Sequence, residues 1–374
     1  MNYYKVFYYH PLDLTFKSAQ TLQVIKDYYH LSKLGVSVVV YGSYENINDL
    51  LLIQEYVASA NFRVISRKRT FFGKIVAKVV FFWSMLSPTE KKTIVTRHYR
   101  KLSSAFLIKK IISNLRVVHE MHEESFPYLF KTHIKKEHIK SLLKNKSLDC
   151  LIFTNYSQQV FFKQEFECDP IKFAILPNGV EFDKFQGVTM SNNFVLTYLG
   201  QFNHWKNVEL IFKALSLLDK KYTLRIAGGK GDNESEVFIK NLMEQYNIDS
   251  SRVCYLGFIN NHEVANKVLK NSNVLLLPLG DNIQSKFLTS PMKLFEYMAT
   301  SIPVLSVDYP SVRLIASEKI FFSSNDAKSF ASQIENICNK SHNFFNFDSM
   351  NVLARQYSYK SRSNKFLKEV ISEL

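Results

Sequence analysis

Two doubly wound α/β units, each built on a parallel sheet, are what this sequence predicts, and three observations predict them. Short runs of β-branched and aromatic residues alternate with longer helical patterns along the whole chain. The runs are near-continuously apolar, as strands covered on both faces require. They also fall into two series, parted by a turn signal and a polar stretch. A length of 374 residues holds two domains of ordinary size, each with a real core. With 46% hydrophobic and 22% charged residues, disordered, collagen-like and low-complexity architectures are excluded.

The first series of expected strands runs Lys5 to Tyr9, Val36 to Tyr41, Thr93 to Thr96, Arg116 to His119, Cys150 to Thr154 and Lys172 to Leu176. The second runs Phe194 to Leu199, Thr223 to Ala227, Val253 to Leu256, Val274 to Pro278 and Pro303 to Val307. The division is expected after Pro177-Asn178-Gly179 and before Phe194, across the polar stretch Gln186 to Asn193. Residues 1–185 then form the first domain and 186–374 the second, whose last helix is able to pack back on the first. Open parallel sheets present ligand sites beyond the carboxyl ends of their strands, so binding belongs in the crevice between the two sheets.

The opening Met1 to Tyr9 lacks the basic, apolar and small-residue succession of a secretory leader, and none is expected. Apolar stretches such as Val79 to Trp83 fall far short of the roughly 18 residues a spanning helix needs. Cys150, Cys168, Cys254 and Cys338 lie far apart with no CxxC pair, which argues against a zinc site or a disulfide framework and for buried free thiols in a reducing cytoplasm. No metal is expected.

Charge is unevenly placed. The net formal charge is +15, and residues 51–150 alone carry 20 basic against 7 acidic residues, so one stretch supplies most of the excess and implies an anionic partner. Within it, Arg63, Arg67, Lys68 and Arg69 precede a helical pattern in which Phe72, Ile75, Val76, Val79, Phe82, Trp83 and Leu86 share one face and Lys74 and Lys78 another. Two readings stand: a basic amphipathic helix for an anionic membrane surface at residues 63–86, or an ordinary sheet-covering helix whose apolar face is core. Nucleic acid is a minor alternative, since no RNA-recognition, KH or helix-turn-helix signature is present.

The most informative segment is Ser290-Pro291-Met292-Lys293-Leu294-Phe295-Glu296-Tyr297-Met298-Ala299 with the strand that follows. Pro291 suits the first turn of a helix whose free N–H groups would face a pyrophosphate. Glu296 is an acid among Leu294, Phe295, Met298 and Ala299, and such a group is seldom buried without a partner, which ribose hydroxyls would supply. This segment resembles the nucleotide-binding signature of family 4 retaining glycosyltransferases of the GT-B fold. Tyr198-Leu199-Gly200 with Lys206, Leu224 to Gly229, Leu256-Gly257, Leu277-Pro278 and Leu176 to Val180 match in the same order. In the amino-terminal half, His119-Glu120-Met121-His122 resembles that family's E-x-H element, and Val95-Thr96-Arg97 a strand-end arginine upstream of it.

The resemblance implies a GT-B fold, two Rossmann-like domains facing a central cleft, in a cytoplasmic enzyme that is peripheral on the inner face of the membrane. It implies retaining transfer from a nucleotide sugar to a saccharide or lipid-linked acceptor in bacterial surface polysaccharide, lipopolysaccharide or capsule synthesis, without a cofactor. Gly200 and Gln201 fall on the donor side; the diphosphate falls to Lys206 and the amides around Ser290, Pro291 and Met292, with Lys293 a second cation, and ribose falls to Glu296. Leaving-group charge would be stabilised most in the transition state by a lysine and a helix terminus. Arg97 and Asn178 fall on the acceptor side, although an Asn178-Gly179 after a strand is commonly just a turn that needs positive φ. His122 either positions a sugar and handles a proton or merely caps the turn at Glu123 and Glu124. Two positions depart from the family pattern: Gln201 stands where an arginine is usual and Leu288 where a glutamate is. They leave open a catalytically silent binding subunit, and the scaffold itself leaves open a nucleotide-sugar epimerase.

Overall fold

The computed structural model describes residues 4–13, 19–44, 56, 61–68, 70–86, 91–112, 114–130, 132–167, 172–191, 193–230, 232–340 and 344–372. The chain divides into two units, Met1–Gly179 with Tyr359–Leu374, and Val180–Ser358. The division thus falls at Gly179/Val180 rather than at 185/186, because Val180, Phe182 and Phe185 are buried in the core of the second unit.

The first unit runs β1 (Tyr4–Asp13), α1 (Ala19–Ser32), β2 (Ser37–Tyr44), β3 (Phe62–Lys68), α2 (Phe71–Trp83), β4 (Lys91–Thr96), α3 (Tyr99–Ile111), β5 (Leu115–Glu120), α4 (Lys136–Leu143), β6 (Cys150–Phe153), α5 (Tyr156–Phe166) and β7 (Phe173–Ile175). Its strands form one parallel sheet in the order β3-β2-β1-β4-β5-β6-β7, with Val6 of β1 opposite Val38 on one side and Thr93 on the other. Alternate β1 side chains face opposite ways. Val6 and Tyr8 join Val24, Ile25 and Tyr28 of α1 in the core, whereas Phe7 and Tyr9 meet Phe81 of α2.

The second unit runs β8 (Val195–Gly200), α6 (Val208–Leu217), β9 (Thr223–Gly228), α7 (Asn233–Gln245), β10 (Val253–Tyr255), β11 (Val274–Leu277), α8 (Met292–Met298), β12 (Val304–Val307), α9 (Pro310–Ala316), β13 (Phe321–Ser323), α10 (Ala327–Cys338) and α11 (Phe347–Gln356). Its parallel sheet has the order β10-β9-β8-β11-β12-β13. Counted from its own first strand that is 3-2-1-4-5-6, the doubly wound nucleotide-fold order, and the first sheet repeats it with one strand added. Asp232 and Asp326 cap α7 and α10 by accepting from the amides of Ser235 and Ser329 at 2.9 and 2.8 Å. After α11 the chain returns to the first unit as α12 (Tyr359–Phe366), which places Phe366, Val370 and Ile371 in that core.

Two strands escape the sequence reading, β3 and β13, and both are sheet edges. An edge needs no second apolar face and is commonly protected by basic residues, so Phe62–Lys68 reads as a charged segment. No helix among the described residues is long and apolar enough to cross a membrane. Cys150, Cys254 and Cys338 are free thiols; Cys254 is exposed rather than buried, and Cys168 lies outside the described residues, as does Arg69 of the basic stretch.

Candidate functional site

In the second sheet the strand order reverses between β8 and β11, where such sheets take their ligands. At the end of β8 the backbone is closely approached: a Cβ on Gly228 would stand 1.9 Å from the Gly200 carbonyl oxygen, and its φ of +125° favours glycine. The Tyr198 hydroxyl donates to the Gln201 carbonyl at 2.7 Å, while the Gln201 side chain is exposed. The turn His204–Lys206 follows, with Lys206 Nζ 4.0 Å from the centroid of the Trp205 ring. The Trp205 carbonyl accepts from the Gly280 amide at 2.9 Å and the Ser285 hydroxyl at 3.0 Å, so the loops after β8 and β11 are tied together.

Helix α8 enters the same place. Pro291 is its cap rather than its first residue, and the helix spans only seven residues, so local amides rather than a long macrodipole face what lies before it. The α8 residue Tyr297 accepts the Leu199 amide on its hydroxyl at 2.9 Å, which pins the helix to the end of β8. Glu296 is buried, and its Oε2 accepts from Lys293 Nζ at 2.7 Å. Buried Glu296 thus has a partner within the chain, an i,i+3 ion pair with Lys293, beside the ribose hydroxyls that the sequence reading assigns to it. Lys206 is half-buried; desolvation and then the charge of Lys293 push its ammonium down to about 7. Two cations close enough to repel each other beside one carboxylate make a place that gains from an added anion. Leu288, where the resembled pattern has a glutamate, is buried and brings no charge.

The amino-terminal set lies in the first unit, beyond β4 and β5. Arg97 Nη2 lies 3.0 Å from His122 Nδ1, and His122 Nε2 lies 3.0 Å from Glu120 Oε1. Arginine can only donate, so Nδ1 accepts and Nε2 carries the proton toward Glu120. Burial and the Arg97 charge hold the imidazole pKa below its ordinary value, against the pull of Glu120. Both ring nitrogens are engaged, and this arrangement fits the neutral tautomer. Arg362, from α12, reaches Glu120 Oε1 at 3.1 Å, the Pro177 carbonyl at 2.9 Å and Asp27 at 3.5 Å. Burial raises the Glu120 carboxyl, but Arg362, His122 and Arg97 together hold it well below the usual range. Asp27 is pushed up to about 7 by burial despite Arg362.

Asn178 accepts from Gln23 of α1 on its side-chain oxygen, inside the first unit. The Gly179 φ is not positive; glycine is needed there because a Cβ would meet the Tyr359 ring at 2.4 Å. Sequence reasoning missed Arg362, Tyr297 and Trp205. Only Tyr297 left a signal, a hydroxyl in an apolar helix that needs a partner. Among the described residues no cluster of His, Cys, Asp or Glu is arranged to hold a metal ion.

Residues 180–351 match the family model described as glycosyl transferases group 1. No curated protein matches the sequence. Among solved structures, the chain is similar to Anabaena HepE, solved with UDP and glucose, at 13% identity and TM-score 0.72, covering 100% of both chains. It is similar to a glycosyltransferase from Rickettsia africae ESF-5 at 12% identity and TM-score 0.75, covering 98% of both. The lipopolysaccharide outer core galactosyltransferase WaaB aligns at 15% identity and TM-score 0.70, covering 99% of this chain and 100% of its own. At such identities these likenesses are of fold. Residues 180–351 thus carry the group 1 glycosyl transferase pattern, in a chain whose fold is that of these GT-B structures.

Proposed function

We propose that the chain moves a sugar from a nucleotide-sugar donor, with retention of configuration, to a saccharide or lipid-linked acceptor of a bacterial surface polysaccharide or lipopolysaccharide. The observation that carries this reading is the pair Lys206 and Lys293 beside buried Glu296 at the reversal point of the second sheet. Lys206, Lys293 and the amides of Ser290 and Met292 take the diphosphate; Glu296 accepts from ribose hydroxyls. As transfer proceeds, the bond from the anomeric carbon to the diphosphate oxygen breaks and the bond to the acceptor oxygen forms. The acceptor proton passes to a departing phosphate oxygen, whose growing negative charge the two lysines stabilise. Arg97 and His122 serve the acceptor side, His122 as a fixed neutral hydrogen-bonding group. A lipid-linked acceptor sets the reaction on the inner face of the cytoplasmic membrane.

The test is turnover of UDP-, GDP- and CMP-sugars by the purified protein, with the anomeric configuration of the product read by NMR. Release of the nucleoside diphosphate from a UDP- or GDP-sugar, with a retained linkage, is expected, and an inverted linkage overturns the retaining assignment. Leu288, buried where an acid is usual, favours one second reading, a binding subunit. Tight donor binding with no hydrolysis or transfer would establish that reading instead.

A further inference from the structure

Helices α2 and α3 cover the same face of the first sheet: Phe81 of α2 stacks on Tyr9 at 5.5 Å, and Lys101 Nζ of α3 stands 5.3 Å from the centroid of that same ring. Each helix has a core side. Ala77 and Phe81, with Met85 just beyond, are buried for α2, and Tyr99, Leu102, Ala105 and Phe106 for α3. The opposite side of α2 is also apolar, and it is in solvent. Trp83 is 74% exposed and Val76 59%, with Phe72, Ile75, Val79, Val80 and Leu86 beside them; on α3, Leu107 is 61% exposed and Ile111 70%. A sheet-covering helix of a soluble monomer would be polar there, and contiguous apolar surface of this kind marks an interaction site.

The charge says which kind. The 26 residues of the two helices contain six lysines and arginines and not one acid, and Arg63, Lys78, Arg100 and Lys110 are exposed around the apolar side. A second copy of this face would bring the same cations with no acid to answer them. A nucleic acid would meet the cations but leave the aliphatic stripe in water. An anionic bilayer offers both an apolar boundary for Trp83 and the valines and negative headgroups for the lysines.

We infer that the outer face formed by α2 and α3 docks in the plane of an anionic lipid surface. This deepens the acceptor half of the proposed reaction, naming the surface on which a lipid-linked acceptor is met, yet its readout needs no turnover. The full-length protein is sedimented with phosphatidylcholine vesicles with and without phosphatidylglycerol. Binding is expected only with phosphatidylglycerol and is weakened as salt shortens the Debye length from about 10 Å at 0.1 M to about 3 Å at 1 M. Lys78→Glu and Lys110→Glu each cost more than the about fivefold in partition expected for one lost cation, about 1 kcal/mol. Trp83→Ser with Val76→Ser removes the binding that survives high salt. These side chains are exposed, so thermal melting and calorimetric UDP binding are expected unchanged, which separates failure of docking from failure of the donor site. No binding to phosphatidylglycerol vesicles, equal binding to both vesicle types, a concentration-dependent dimer abolished by Trp83→Ser, or salt-sensitive RNA binding in place of vesicle binding would each overturn the inference.

Discussion

The helices that cover the two sheets have the same job inside and opposite characters outside. In the second unit the outward faces of α6 and α7 are laced with ion pairs one helical turn apart, Lys213 to Glu209 at 3.1 Å and Lys240 to Glu236 at 2.9 Å, and their exposed apolar residues, Leu217 and Val237, stand singly. In the first unit the outward faces of α2 and α3 have no acid, several cations and, on each helix, exposed apolar residues at helical spacing. The two sheets share one strand order, so topology demands nothing of these outer faces. What stands on them reports partners, and water suffices as the partner of only one.

The units also differ in how they keep buried charge. The first holds Arg362 against Glu120 and Asp27 with all three buried; the second keeps Lys206 half-buried and short of acids. The largest effect is expected from Arg362→Met, which leaves two buried carboxyl groups without their cation and should cost about 3–5 kcal/mol in urea unfolding. The same change at the surface pair, Lys240→Met, should cost no more than about 0.5 kcal/mol. Equal costs would break the contrast. Next, Lys206→Ala should lower kcat by about 10² to 10³ with a smaller change in KM, because phosphate charge grows toward the transition state. A change confined to KM would show that the lysine holds ground and transition states alike. Glu296→Ala should weaken donor binding by about 1.5–3 kcal/mol in calorimetry of the folded variant, the range for hydrogen bonds to a charged group.

The smallest effect sharpens the comparison most. Lys206 loses its proton near pH 7 in the empty site, and a bound diphosphate raises that pKa again. Donor binding at pH 8 should therefore take up close to one proton, and at pH 6 none, with affinity falling up to tenfold per pH unit above 7. Calorimetry in buffers of different ionisation enthalpy reads the proton count, and Lys206→Arg should abolish the uptake. Uptake that persists in Lys206→Arg would assign the proton elsewhere.

The proposed donor side was legible because its residues are local. Lys206 follows one strand, and Ser290 to Glu296 form one short segment ahead of another, so spacing along the chain carries their relation in space. Even there, the Lys293 to Glu296 pair is an i,i+3 contact, readable once the helix is placed. The first unit was harder. Arg362 reaches Glu120 across most of the chain, and no periodicity links them. His122 was found as a motif, but its neutral state follows from Arg97 and Glu120 holding both nitrogens.

By itself the sequence determined the two parallel sheets, the helices between them and the helix that carries Lys293 and Glu296, because apolar periodicity and turn residues act over a few positions. Packing decided what lies farther apart: the edge strands β3 and β13, the return of α12 to the first core and the burial of Arg362. It also decided which side of α2 is core. That helix is apolar nearly all round, so periodicity names the stripe of Phe72, Val76, Val79 and Trp83 without saying where it points. Phe81, seated against Phe7, Tyr9 and Tyr41, takes the inner position and turns the stripe outward.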